Sequence, residues 1–595
     1  MASSFHSNDI SISDILISMS KADVQLPDFQ RGWVWDNYRI KALIASISNS
    51  YPVGAVMFLE YGGDNIRFKY RPFTGVDLVV RPDKLVLDGQ QRLTSIFCAM
   101  FSRNVVETIT EKKAKIKRFY YLDIKDCLNP QVDRVDAILS IPEDRKLKSD
   151  FGRKVDLDLS TREKEFEHHK FPLNIVYDLM ACAKWQNEYQ KYHRYDTVIL
   201  DQYSLFTVEA LVPIQSYKVP VITLDKAIPK EAVCQVFENV NTGGVALTVF
   251  ELVTATFAAD DFELRKDWEI KKQTLNKQLI LKNVTATDFL TSMTLLTGYK
   301  NHKNRGTAVS CKKKDVLNLT LQEYKDNCEQ LTEGFIQAAK FLLEQRIFSQ
   351  RDLPYSTQLI PMAAVFTMLG DKVHNGTVKI KIAQWYWCGV FGEMYGGANE
   401  TRYALDVTGL ISWIIENGQY PDTISRAYFN PMRLISLQTR LSAAYKGVMA
   451  LLLKTGCSDF ISGSAMDFTT FLDENTDIHH IFPRAYCEGK GYNREKWNSI
   501  VNKTPLFART NRILGGNAPS KYLNKIVNDS TVIVEDLDKH ITSHKIDILS
   551  IRADDFDGFF VYRAKALLDL IGDAMGKTIS NRDSAETITA FGGKL

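Results

Sequence analysis

The chain has 595 residues, 45% hydrophobic and 24% charged, with a formal net charge of +3. That length exceeds what one hydrophobic core serves, so roughly two to four domains are expected, and a charge so near neutral leaves any nucleic-acid partner to be argued from local patches. Nine scattered cysteines, none in a C-x-x-C pair, argue against a disulfide framework or a Cys-type zinc site and for a reducing cytoplasm.

The first section runs to residue 262. DISISDILISMSK carries apolar positions at helical spacing, with Ser and Asp near its start, and predicts a helix. AVMFLEY and KLVLDG predict short buried strands. QRLTSIFCAMF predicts a helix with Leu93, Ile96, Phe97 and Met100 on one face, and KRFYYLDI a further strand. Alternating strands and helices make this section α/β or α+β. Residues 143–170 are a charged run, expected as a solvated insertion or exposed helix; the pair His168–His169 within it reads as surface.

Residues 263–455 read as a helical connecting region. LPYSTQLIPMAAVFTML and KIAQWYWCGVFGEMY carry long apolar faces, whose Trp and Tyr belong to a core. Residues 456–595 contain TDIHHIFPRAYC and, near the end, DFDGFFVYRAKALLDLIGDAMGK, an amphipathic helix; SNRDSAETITAFGGKL reads as a frayed tail. The expected fold class is α+β and multidomain. The polar start MASSFHSNDISISD has no basic region with an apolar run behind it, so no signal peptide and no membrane span are expected.

LVLDGQQRLTS places an Asp-Gly-Gln-Gln-Arg string after a strand and at the opening of a helix. Free N–H groups at a helix start favour phosphate oxygens. Gly89 permits a tight turn, Arg92 can fork onto phosphate, and Asp88 can hold a metal or a water. Upstream stands LPDFQRGWVWD, with Gln30, Arg31, Trp33 and Trp35; downstream stands VFENVNTGGVALTVFEL. Both tryptophans read as core. The three segments in this order resemble the domain of unknown function 262 over roughly residues 8–260. That domain is similar to the ParB/sulfiredoxin-like fold and forms the nucleotide-hydrolysing half of GmrSD-type systems. By that resemblance Gln30, Arg31, Asp88, Gly89, Gln90, Gln91, Arg92 and Thr94 bind the phosphates of an NTP (GTP, ATP or CTP), and Asn241 with its glycines lines the same pocket.

The C-terminal string has different chemistry. A metal-dependent nuclease needs a base for water, a divalent cation for the charge developing on phosphate, and ligands that hold the cation. Histidine is the natural base near neutral pH. Neighbours on a strand point to opposite faces, so His479 and His480 diverge unless the strand ends there, as Pro483 implies. TPLF can form a return strand and ARTNRIL a short helix cut off by Gly515 and Gly516. DIHHIFPRAY followed by NSIVNKTPLFARTNRILGGNAPSKYL resembles the HNH-type domain of unknown function 1524, the nuclease half of GmrSD-type enzymes, with its ββα-metal fold. The resemblance makes His480 the general base, His479 and Asn511 ligands of Mg²⁺ or another divalent cation, and Asn502 the brace of the loop that orients the base. Between Asp477 and Lys525 nine Lys/Arg face three acids, a local balance of +6. Arg484, Lys503, Arg509, Arg512 and Lys521 are the expected DNA contacts, giving affinity without sequence readout.

GDAMGKT at 572–578 imitates a P-loop but ends a helix and is one residue short; Gly576 reads as a helix terminator. Together the motifs imply an NTP-regulated, modification-dependent (type IV) restriction endonuclease acting on modified phage DNA in the cytoplasm, as a monomer or homo-oligomer. The alternatives are an HNH nuclease for RNA or unmodified DNA, and a ParB-like nucleotide-switched DNA-binding protein with an inert nuclease domain.

Overall fold

Alternating apolar residues build a six-stranded mixed sheet in the first of two compact units, Met1–Leu264; the second spans Arg265–Leu595. The computed structural model describes residues 5–30, 32–63, 68–78, 80–149, 153–229, 232–233, 235–236, 248–466, 476–530 and 532–595. In chain order the first unit's strands are β1 (Phe5–Ser11), β2 (Val24–Pro27), β3 (Val56–Glu60), β4 (Tyr70–Arg71), β5 (Lys84–Asp88), β6 (Val106–Ile109), β7 (Lys115–Asp123), β8 (Ile138–Pro142), β9 (Lys146–Ser149), β10 (Lys154–Asp158), β11 (Lys170–Pro172) and β12 (Lys218–Leu224). The main sheet has the order β1-β12-β3-β5-β2-β4. β12–β3 and β2–β5 are parallel and the other pairs antiparallel. β5 lies inside the sheet, and its Leu85, Val86 and Leu87 are all buried, as expected of a strand covered on both faces. A second sheet joins β11, β7 and β6, with β8 on β7.

Three local expectations change here. Helical spacing begins at Asp9, yet the helix begins at Ile12, because β1 pairs with β12 from Phe5↔Leu224 to Ser11↔Lys218. Sheet pairing overrides local periodicity. The charged run at 143–170 folds into the hairpin β9–β10 and the helix Arg162–Glu167. Glu165 on that helix is only 3% exposed and accepts from Trp185 Nε1 at 3.1 Å. His169 is not a surface residue either. Its Nδ1 lies 2.7 Å from the Tyr189 hydroxyl and its ring stacks on His193 at 5.0 Å; burial pushes its pKa down to about 4. Trp33 and Trp35 pack half-buried against the core. Among the described residues one helical stretch, Thr197–Gln215, is long and apolar enough to cross a membrane by length and composition, where no such stretch is expected from the sequence; Asp201 and Glu209 lie within it.

In the second unit, long helices form a core. Ala286–Arg305 and Leu321–Glu344 each start with a reciprocal capping box, Thr285 with Asp288 and Thr320 with Glu323. Leu359–Leu369 is buried nearly all round and packs against both, as a helix apolar on every face must. Gly334 makes one approach possible, since a Cβ there would sit 2.6 Å from Ala363 O. Trp385 and Trp387 on the helix Gly376–Phe391 are fully buried. The helix Phe556–Met575 packs on Gly376–Phe391 and on Ala443–Lys454, so residues 265–455 and 456–595 share one compact unit where the sequence reading divides them at 455. The final segment is ordered: Ala585–Phe591 is a helix capped by Ser584, and Phe591 is fully buried.

Candidate functional site

The His-His string forms strand β13 (Thr476–His480), which ends at the second histidine and pairs antiparallel with β14 (Lys503–Phe507). The register sets His479 against Thr504 and His480 against Lys503. The helix Ala508–Leu514 follows directly, packs on both strands, and stops at Gly515, whose φ is +58°. A strand–loop–strand–helix unit thus carries His479 and His480 on its first strand, Lys503 at the start of its second and Asn511 on its helix.

Asn502 is fully buried and closes the loop between the strands. Its Oδ1 accepts from Phe482 N at 2.8 Å, and its Nδ2 donates to Phe482 O at 2.9 Å and Trp497 O at 2.8 Å. Its carbonyl accepts from Ile481 N at 2.9 Å. The chain just after His480 is therefore tied at three backbone atoms by one residue. Every polar atom of that amide is used structurally.

His480 is half-buried, with Nε2 3.3 Å from Asn498 Oδ1 and its ring edge-on to Trp497 at 5.7 Å. Asn498 Nδ2 donates to Gln438 Oε1 at 3.2 Å, and Lys503 Nζ donates to Gln438 O at 2.7 Å. Gln438 therefore bonds Lys503 directly and reaches the register partner of Lys503, His480, through Asn498. Burial, then the nearby Lys503 cation, holds the His480 pKa below its ordinary value, against the raising effect of Asn498. The imidazole is consequently neutral, and able to accept a proton, at neutral pH. Burial also pushes Lys503 down to about 8. Of the expected DNA contacts, Arg484, Arg509, Arg512 and Lys521 are exposed, Arg484 pairing with Glu488 at 2.8 Å. Lys503 is the correction: it is 7% exposed, and its amine is spent on a carbonyl rather than held out to solvent.

Three further residues hold this unit in place. Asp459, 1% exposed, accepts from Phe507 N at 3.1 Å and Thr510 Oγ1 at 2.7 Å, fixing the junction of β14 and its helix. His544 bridges Thr504 Oγ1 at 2.6 Å and Ser458 O at 2.7 Å; burial pushes its pKa down to about 4. Arg563, fully buried, donates to Val501 O at 2.6 Å and Lys503 O at 2.8 Å. Their sequence distances from β14 hide all three from a motif reading.

The donor set bears on a metal. Among the described residues no group of three or more His, Cys, Asp or Glu comes together, so a closed cage of such ligands is not what this hairpin offers. An imidazole nitrogen and an amide oxygen, the atoms His479 and Asn511 would offer, are donors of a kind that would suit a divalent cation keeping most of its coordination for water and phosphate oxygens.

The N-terminal candidate site is built differently. Gly89, at φ +95°, turns the chain from β5 into the helix Gln90–Ile96; a Cβ there would meet Val56 Cγ2 at 3.1 Å. Arg92 does not fork outward. Its guanidinium donates to Val53 O at 2.7 Å, Ala55 O at 2.8 Å and Asp88 Oδ2 at 3.0 Å. Gly54 leaves the room for it, since a Cβ there would fall 2.6 Å from Arg92 Nη1. Gln30 Nε2 donates to Val86 O and Leu87 O, Gln91 holds Gly32 O and Val34 N, and Thr94, 1% exposed, donates to Gln90 O. Trp33 Nε1 donates to Ser95 Oγ at 3.0 Å. The motif residues thus gather around one strand–turn–helix and fasten it to Gln30, Gly32, Trp33 and Val34. Arg31 and Asn241 lie outside the described residues. The P-loop imitation is occupied too: Gly576 caps the helix Phe556–Met575, and Lys577 Nζ donates to Ser425 O and Ala427 O.

Residues 12–258 match the family model for the N-terminal domain of GmrSD restriction endonuclease, which gives the first unit a GmrSD-type domain. Over 538 residues the chain is 25% identical to an uncharacterized protein of Methanocaldococcus jannaschii, covering 86% of each chain.

Proposed function

We propose that the chain is an NTP-regulated, modification-dependent restriction endonuclease with both halves in one polypeptide, working in the cytoplasm on modified phage DNA. The carrying observation is the ββα unit in which a half-buried His480 ends a strand beside His479, with Asn511 on the following helix. The GmrSD-type domain over residues 12–258 supports the same reading.

In this mechanism His480 takes a proton from water as the water oxygen bonds to phosphorus, and the bond from phosphorus to the leaving oxygen breaks. A divalent cation, when bound by His479 and Asn511, supplies Lewis-acid stabilisation of the charge developing on the phosphate. Asn502 keeps the chain after His480 in place through its bonds to Phe482 and Trp497. Arg484, Arg509, Arg512 and Lys521 neutralise phosphates and set affinity without reading bases. In the first unit the N–H groups opening the helix at Gln90 meet NTP phosphates, Gln30 and Arg31 being the further phosphate ligands that the motif implies, while Arg92 braces the turn.

The test is a plasmid-cleavage matrix. Unmodified, phosphorothioate and base-glucosylated plasmids are each incubated with GTP, ATP, CTP or no nucleotide, with Mg²⁺ or Mn²⁺ present. Nicking confined to one modified substrate and dependent on one nucleotide is expected. Equal cutting of every plasmid would remove the modification dependence; no cutting anywhere would remove the nuclease.

A further inference from the structure

Beside the hairpin the second unit holds a cavity that the hydrolytic residues do not use. Its cavity volume is about 80 Å³, and it opens to solvent. Its apolar floor includes Phe348, Met449 and Leu453, together with Ile478 of β13 and Pro505 of β14. Around it stand Arg346, Arg351, Arg440 and Lys446, against one carboxylate, Asp352, among its described lining residues. Asp352 already accepts from Ser349 Oγ at 2.7 Å, and Lys446 Nζ donates to Leu353 O at 3.0 Å. Like charges gathered on a low-dielectric wall repel one another and focus their field into the cleft, which raises the local concentration of anions.

The position is as informative as the charge. Ile478 lies two residues before His480 on the same strand, so both occupy one face; its register partner Pro505 lies two residues after Lys503. Two strand residues span about 7 Å, about two nucleotide steps at roughly 3.4 Å of axial rise each. The segment beside the hairpin keeps pace with it. Gln438 meets Lys503 and Asn498 at the level of His480, and Arg440, two residues on, lines the cavity.

We propose that this cavity takes a phosphate carried on a flat apolar body: one nucleotide of the DNA strand being cut, its phosphate on the arginines and its base against the floor. The inference rests on the nuclease reading and adds where the strand is held next to the scissile phosphate. Guanidinium forks match phosphate oxygens, and a base would face the apolar lining that includes Leu453 and Ile478. A free nucleoside triphosphate has the same chemistry, so the experiment separates the two sources.

Full-length protein with His480→Ala serves as parent, so that labelled DNA stays intact. Binding of duplex and single-stranded oligonucleotides is followed by fluorescence anisotropy over roughly 50–300 mM salt. Adding Arg346→Ala and Arg351→Ala should lower the slope of log K against log salt by about 1 to 2 and weaken binding at least tenfold. Slope and affinity equal to the parent's would overturn the proposal. If the double substitution does not fold, exposed Arg351→Ala alone carries the test, with a slope change of about 1. GTP, ATP and CTP should not displace DNA from this cavity; displacement that the arginine substitutions abolish, with the DNA slope unmoved, overturns the strand as occupant. The chain with His480 intact separates the two readings. No nicking together with a reduced slope refutes the nuclease and keeps the cavity; nicking with an unmoved slope refutes the cavity alone.

Discussion

The two candidate sites use the same residue types in opposite ways. In the first unit Arg92, Gln91 and Gln30 turn inward, and their polar atoms hold backbone carbonyls and one carboxylate of their own domain. In the second unit the inward-facing amides, Asn502 above all, fasten a loop, and the imidazole of His480 is positioned at a strand end by Asn498 and Trp497. One site is a scaffold whose side chains are spent on its own backbone; the other sets a titratable ring on a scaffold. A motif identifies which residues belong together, but the hydrogen bonds decide which of them are tools and which are mounts.

Loss of a tool should cost most. His480→Ala is expected to reduce plasmid nicking by roughly a thousandfold, the scale of general-base catalysis, with NTP affinity unchanged because the ring belongs to the second compact unit. Nicking at the wild-type rate would show that another group takes the proton. Loss of a mount should act first on stability. Arg92 is 18% exposed and makes three charge-assisted contacts, so Arg92→Ala should cost about 2–3 kcal/mol. The melting midpoint of the first unit should fall by several degrees and NTP affinity by at least tenfold, since the turn that presents the helix N–H groups loses its brace. Calorimetry at a temperature where the variant is folded decides; unchanged affinity would break the link between this turn and nucleotide.

How much of this was legible follows from where each signal sits. The return strand, the short helix and its stop at Gly515 are local, and the sequence carries them in TPLF, ARTNRIL and the glycine pair; Lys503–Phe507 and Ala508–Leu514 match them closely. The first helix starts later than its periodicity predicts because pairing with a strand some two hundred residues away claims the residues before Ile12. The C-terminal tail reads as frayed because its polar residues hide Phe591, which only packing against other elements buries. His169 looked solitary because its partners, Tyr189 and His193, stand a helix away. Lys503 reads as a surface cation in sequence because the Gln438 carbonyl that takes its amine lies 65 residues away. Asn498, Gln438, Asp459 and Arg563 carry no motif at all. What a motif omits is the set of long-range partners, and at this site they do most of the positioning.

The finest prediction concerns one of those partners. With Asn498 Nδ2 on Gln438 Oε1, its Oδ1 faces His480 Nε2. An acceptor there requires that Nε2 carry the hydrogen, which leaves Nδ1 as the basic atom of the neutral ring. Asn498→Ala should therefore lower kcat about tenfold, the worth of one such orienting contact at roughly 1.4 kcal/mol, with KM unchanged because no substrate contact is lost. Asn498→Asp keeps an acceptor toward Nε2, and Gln438 can turn its amide to donate in return, so kcat should recover to within a few-fold of wild type. A purely structural role predicts the reverse order, since an added carboxylate in a half-buried site disturbs folding more than a small methyl does. Steady-state nicking by the two variants, read beside their melting midpoints, separates an oriented base from a merely buried one.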